Sequence, residues 1–304
     1  MTVIAGRAHA GFEPQVVYGS DDRLDLYQVQ DRKPLELADS TVGLFMSFDV
    51  RDEGGKAVLF THPYGEKLNL CKEEPFWEQS AGAFCSGALV GPDIILTAGH
   101  CLESELDCAS TKFVFGFGIT KAGEQPTSVD ISEVYRCVGL LGRKTQKKGP
   151  DWALVKLDRP VSNHAVLKLD VSGTLADGDP LFSIGHPAGL PKKIVGGGKV
   201  RDISPQGYFV ATVDAYGGDS GSPVFNAKNG LLVGILVAGE RDFIYKGDCL
   251  VSKVCAEDDC RGEDVTKLSS VVFPPAEVPG NPRMVSLGER LSKLLEQQAA
   301  ALIP

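Results

Sequence analysis

Short apolar runs broken by glycine and proline constrain the fold of this chain most. They begin with Thr41-Val42-Gly43-Leu44-Phe45-Met46-Ser47-Phe48. Asp52-Glu53-Gly54-Gly55-Lys56 reads as a hairpin turn leading into residues 57–60. Ala88-Leu89-Val90 and Ile94-Ile95-Leu96 flank a second turn, Gly91-Pro92-Asp93. Further strand-like runs occupy residues 112–118, 129–138, 152–157, 180–185, 193–203, 207–213, 222–226 and 231–238. Many short strands at this spacing predict an all-β barrel or sandwich, and no alternating helical pattern supports a parallel sheet. The helical exception is Leu287 to Leu302, where Leu287, Leu291, Leu294 and Leu295 share a face. Residues 24–40 are mixed and charged and read as a segment wrapping the first barrel. Residues 61–80, with His62, Cys71 and Trp77 among charges and prolines, read as an insertion.

Composition narrows the function classes. Net charge is -9, whereas a nucleic-acid surface calls for basic residues, so no nucleic-acid partner is expected. No run approaches the roughly 18 apolar residues of a spanning helix, so no membrane span is expected. Eight cysteines favour disulfides and an oxidising location, secreted or periplasmic. Residues 1–15 show no period and read as an N-terminal segment, with Ala8-His9-Ala10 a small-x-small remnant of a signal sequence or an ordinary N-terminus. Cys249, Cys255 and Cys260 are spaced unlike the tight pairs of a zinc ribbon, so no metal is expected.

The chemistry concentrates in Asp214-Ala215-Tyr216-Gly217-Gly218-Asp219-Ser220-Gly221-Ser222-Pro223-Val224. Ser220 sits among glycines that permit positive φ and close approach of a ligand. An acyl-transfer site needs such an exposed hydroxyl beside backbone N–H donors, here those of Gly218 and Ser220. Upstream, Ile94-Ile95-Leu96-Thr97-Ala98-Gly99-His100-Cys101 puts a histidine after a strand, and Asp151-Trp152-Ala153-Leu154 starts another strand with an aspartate. The order His100, Asp151, Ser220 is one of three known for this triad. With these motifs the chain resembles the trypsin-like serine peptidases, firmly from about Ala83 to Gly239. Ser183-Ile184-Gly185-His186-Pro187, the stretch Gly217 to Asn226, and Val16 to Arg23 further resemble the bacterial branch that includes staphylococcal glutamyl endopeptidase.

The resemblance implies two packed antiparallel β-barrels of the chymotrypsin type, with the triad in the cleft between them and a C-terminal helix. It implies one peptidase domain over 16–304, protein or peptide substrates, no cofactor, and an activating protease for a zymogen. His100 would be the general base, Asp151 its orienter and Ser220 the nucleophile. Gly218 and Ser220 would form the oxyanion hole. Asp214 falls where trypsin carries the pocket aspartate, which implies cleavage after Arg or Lys, with Ala215 and Gly239 also lining the pocket. The histidine that glutamyl endopeptidases use in the strand after the nucleophile is missing from Gly234 to Gly239. The implied disulfide is Cys85 with Cys101, and Cys108 with Cys137 is the next pair. Cys71, Cys249, Cys255 and Cys260 leave three pairings open. Asp219 would pair with a freed Val16 amine, or else with local backbone donors. His9, His62, His164 and His186 are expected to be structural or surface residues. Two other readings are a peptidase-like binding protein without activity and a quality-control protease with a peptide-binding module. Neither has a substituted triad position or a sufficient C-terminal length in its favour.

Overall fold

The computed structural model describes residues 21–274 apart from 147, 171, 240–241 and 256–259. The strands below all lie in the compact unit Met1–Val272. The helix expected at Leu287 to Leu302, the segment 1–15 and Val16 lie outside the described residues.

One antiparallel sheet closes on itself in the order Val134–Lys144, Trp152–Leu157, Ile94–Thr97, Cys85–Gly91, Thr41–Met46 and Thr111–Val114, which pairs back onto Val134–Lys144. A second runs Lys193–Asp202, Pro180–Gly185, Pro223–Asn226, Leu232–Ala238, Glu263–Lys267 and Tyr208–Ala211, which returns to Lys193–Asp202. The all-β expectation is thus met by two six-stranded barrels. Closure pairs each of these strands on both sides.

Alternation explains how the first barrel is lined. On Thr41–Met46, Val42 and Leu44 enter a core with Leu89, Ile95, Phe113, Phe115, Tyr135 and Val155. Phe45, facing the other way, packs edge-on against Phe117 at 5.2 Å in a separate cluster with Ala57, Leu59 and Val129. That cluster lies beneath a three-stranded sheet of Val50–Glu53, Lys56–Leu59 and Ser128–Asp130. The anticipated turn is there, with Gly54 and Gly55 at φ +66° and +93°. Gly87 faces the barrel core, where a Cβ would come within 2.7 Å of Ile95. The second barrel buries Leu181, Val200, Phe209, Val224, Leu236 and Val265.

Several boundaries differ from the sequence reading. The run 129–138 is interrupted by a 3₁₀ turn at Ile131–Glu133, where the Asp130 side chain accepts from the Ser132 amide. The strand at 112–118 ends at Val114, before Gly116 at φ +74°. Residues 24–40 divide their contacts. Arg23–Asp25 pairs with Lys193–Val195 as a seventh strand on the second barrel. Arg32–Ala38 is a helix missed in the sequence, although Asp31 caps it and Pro34 suits its first turn.

Four disulfides join Cys71 to Cys249, Cys85 to Cys101, Cys108 to Cys137 and Cys255 to Cys260. The first ties the insertion at 61–80 to the hairpin Phe243–Lys246/Cys249–Ser252. Backbone bonds from Cys71 N to Leu250 O and from Leu250 N to Asn69 O, each 2.9 Å, reinforce that link.

Truncating a ring at the centre of the first barrel tests this packing. Phe113→Ala is expected to lower unfolding free energy by about 3–5 kcal/mol, because the ring is fully buried in the core of the first barrel. Urea denaturation of the oxidised chain measures it, and a loss below about 1 kcal/mol would contradict this core.

Candidate active site

The turn that carries His100 is built from its neighbours. After Ile94–Thr97 the chain makes a 3₁₀ turn over Gly99–Cys101. Gly99 has no room for a side chain, since a Cβ would lie 2.5 Å from the Lys144 carbonyl and 2.8 Å from Asp151 Oδ1. Arg143 Nε donates to the Gly99 carbonyl at 2.9 Å, and the Cys85–Cys101 bridge ties the turn to the neighbouring strand. His100 is thereby fixed on both sides.

Asp151 begins Trp152–Leu157 and is buried. Its Oδ1 accepts the His100 backbone N–H at 3.0 Å, and its Oδ2 lies 2.6 Å from His100 Nδ1. The other ring nitrogen, Nε2, is 2.8 Å from Ser220 Oγ. Nδ1 faces a carboxylate and so carries a proton, which leaves Nε2 of a neutral ring able to accept from the Ser220 hydroxyl. Residues far apart in sequence therefore form one hydrogen-bonded line.

Ser220 is held by backbone bonds across the barrels. The Ser86 amide donates to the Ser220 carbonyl at 2.8 Å, and the Gly221 amide donates to Leu236 O at 2.7 Å. Gly221, at φ +87°, sits where a Cβ would come within 2.1 Å of the Ser86 carbonyl. Gly218, at φ +106°, lies against the Gly189 nitrogen and the His186 carbonyl. Thr266 in the second barrel accepts from the Asp151 amide and donates to the Asp151 carbonyl, both at 3.0 Å. Sequence reasoning had no signal for Thr266, which stands in an ordinary strand.

Asp219 is buried, and burial pushes its carboxyl up to about 7. Its Oδ2 accepts from the Tyr216 amide and its Oδ1 from the Ser222 hydroxyl, each at 3.1 Å. Of the two partners considered for Asp219, the local donors are seen, and Val16 is outside the described residues.

Beside Ser220 lies a cavity of about 110 Å³ lined by Ala215, Tyr216, Gly217, Leu236, Ala238, Gly239, Asp242 and Glu263. Ala215 and Gly239, both named from sequence, are among its lining residues. Asp214 is not. It is buried, and its carboxylate accepts from the Asp22 amide at 3.4 Å. The carboxyl groups that reach the cavity are Glu263 and Asp242 instead. Glu263 lies over Gly239, where a Cβ would collide with its carboxylate. Asp242 Oδ2 accepts from the Gly217 amide at 2.7 Å, and burial raises its carboxyl above the usual range. Neither acid stood in a motif that the sequence could flag.

Cys85, Cys101 and His100 also come close together, but the two sulfurs are bonded to each other and offer no thiolate for a metal. His186 is fully buried against Phe117, its Nδ1 3.0 Å from the Leu190 carbonyl, and burial holds it down to about 3. His164 bridges Asp39 and Glu133, at 2.9 and 2.6 Å, and those carboxylates raise it to about 9 against the cost of burial. Both are structural residues.

Residues 85–235 match the trypsin-like peptidase domain. Over 158 residues the chain is 28% identical to chymotrypsin-like elastase family member 3A of Homo sapiens, covering 50% of this chain and 52% of the relative. Venom plasminogen activator Haly-PA of Gloydius brevicauda is 34% identical over 102 residues, covering 32% of this chain and 37% of the relative. Trypsin of Sarcophaga bullata is 26% identical over 145 residues, with 48% of each chain covered. The chain thus spans about half or less of the curated relatives it matches. The inactive form of the Rv3671c protease aligns over 81% of this chain and 92% of that chain, with a TM-score of 0.44 and 12% identity. The matched stretch is a trypsin-like peptidase domain, homologous to the chymotrypsin-like serine proteases.

His186 yields a pH prediction. In the unfolded chain the ring protonates below about 6.5, whereas in the fold it stays neutral down to about 3. Its contribution to stability is present above pH 6.5 and is lost as pH falls toward 3. The stability difference between wild type and His186→Phe should therefore move against wild type by on the order of 3 kcal/mol between pH 7 and pH 4. Chemical denaturation at each pH reads this difference, and a pH-independent one would refute the buried neutral ring.

Proposed function

We propose that this chain is a secreted or periplasmic serine endopeptidase that cleaves peptide bonds on the carboxyl side of Arg or Lys. The observation that carries the reading is the continuous line Asp151–His100–Ser220, with contacts of 2.6 and 2.8 Å. Ser220 Oγ attacks the scissile carbonyl carbon while its proton passes to His100 Nε2. The resulting imidazolium is stabilised by Asp151, whose second oxygen is already engaged by the His100 amide. The Gly218 and Ser220 N–H groups receive the developing oxyanion. The C–N bond then breaks as Nε2 returns the proton to the departing amine, leaving an acyl-enzyme. Water, deprotonated by the same nitrogen, releases the acid and restores Ser220.

The pocket supports the preference for basic side chains through Glu263 and Asp242, in place of Asp214. A carboxylate in a partly desolvated pocket pairs with a guanidinium or ammonium group and repels an acidic side chain by several kcal/mol. The likeness to glutamyl endopeptidases therefore does not extend to their specificity. Secretion is supported by the disulfides, which persist in oxidising compartments. Activation by cleavage at Val16 is carried by sequence resemblance alone.

Three measurements test the reading. A fluorophosphonate should label the wild type at Ser220 and leave Ser220→Ala unlabelled. His100→Ala should lose nearly all turnover, with the double variant little worse, because the two act as one unit. In a panel of peptides differing only in the residue before the scissile bond, Arg and Lys should lead. Glu263→Gln should cut that preference at least tenfold, and Asp214→Asn should leave it. A preference for Glu, or selectivity that follows Asp214, would overturn the pocket assignment.

A further inference from the structure

Arg23 is a buried cation outside the proposed reaction machinery. Its side chain has no solvent exposure. Its guanidinium is sandwiched between two rings, 4.1 Å from the Tyr216 centroid and 4.9 Å from that of Phe76. On one edge it grips Asp21, with Nε to Oδ1 at 2.8 Å and Nη2 to Oδ2 at 2.7 Å. Among the described residues Nη1 is buried with no hydrogen bond of ordinary geometry, and the Tyr64 hydroxyl is the polar group that interacts with the guanidinium there. A leucine or methionine would fill such a slot without the cost of desolvating a charge.

The surroundings give the charge a use. Asp219 is buried and Asp242 half-buried, and in both the positive charge of Arg23 works against the burial that raises the carboxyl. Their carboxylates accept from the Tyr216 and Gly217 amides, next to Gly218 and Ser220. The Tyr216 ring that Arg23 covers is pinned at its far end, where its hydroxyl donates to Ser252 and Ser252 donates to Glu74. Lys193, the other cation near Phe76, is already engaged by Asp25 and Gln79. Arg23 is thus a buried cation whose field falls on the loop bearing Ser220. The strand pairing of Arg23 with Val195 fixes it from the backbone side.

We propose that Arg23 is a positioning residue for Tyr216–Ser220: its guanidinium keeps the Asp219 and Asp242 carboxylates holding the Tyr216 and Gly217 amides, and so shapes the turn from which Ser220 reacts. The inference rests on the serine peptidase reading. It supplies the turn with an internal cation that needs no freed chain terminus.

The test uses the full oxidised chain and the rate constant for fluorophosphonate labelling at Ser220, with folding followed by thermal melts. Arg23→Gln, which keeps much of the shape and removes the charge, should label at least tenfold more slowly. Arg23→Lys, which restores the charge, should recover to within about threefold of wild type. Asp21→Asn, at a partly exposed position, should slow labelling at least threefold by releasing the guanidinium, and it keeps the test decisive if Arg23→Gln does not fold. Wild-type rates in folded Arg23→Gln or in Asp21→Asn overturn the proposal, as do equal losses in the Gln and Lys variants, which would mean packing alone. Wild type that fails to label overturns the peptidase reading and this proposal with it. Labelled wild type beside an unaffected Arg23 variant overturns this proposal alone.

Discussion

The site depends on one buried carboxylate. Asp151 immediately precedes a strand of the first barrel, yet its main chain exchanges two hydrogen bonds with Thr266 of the second. Its side chain holds His100 twice, through the backbone amide and through the ring. A buried carboxylate is tolerable where hydrogen bonds replace its lost water. Here those bonds also set the direction in which the imidazole points. The interface between the barrels and the geometry of the histidine are thus fixed by one residue.

Backbone contacts do the corresponding work for Ser220. The Ser86 amide of the first barrel holds the serine carbonyl, and Thr97 in turn donates to the Ser86 carbonyl at 2.7 Å. Gly221 lets these chains approach to a distance that any side chain would block. Closed barrels make such a seam rigid, because every strand near it is paired on both sides. The turn is then free to present a hydroxyl with little further support from side chains.

The wall beside the serine is less regular. It is assembled from the Tyr216–Gly217 turn, the segment at Asp242 and the strand at Glu263. The disulfide from Cys71 to Cys249 anchors the neighbouring hairpin to the insertion at 61–80, where Phe76 covers Arg23. Acids and a cation are concentrated in this wall, with rings between them. Low local polarity strengthens their mutual attraction and makes their relative placement matter more than in water.

The amino-acid sequence by itself determined the all-β class, through short runs of period two between turn residues. It also determined the three residues of the hydrogen-bonded line, because His100, Asp151 and Ser220 each sit in a local motif. The hairpin at Gly54-Gly55 was readable for the same reason: its chemistry is complete within a few residues. What only the tertiary structure decided involves partners distant in the chain. Asp214 occupied a promising position by counting, but it is buried outside the cavity lining, where its carboxylate accepts from the amide of Asp22, just before the N-terminal strand. Glu263 and Asp242 reach the cavity because a strand and a loop more than twenty residues past Ser220 fold back beside it. Arg23 meets Tyr216 only because Arg23–Asp25 joins the second barrel. Local patterning specifies elements and turns, while the electrostatic lining of a cleft depends on which buried side chains the closed sheets bring together.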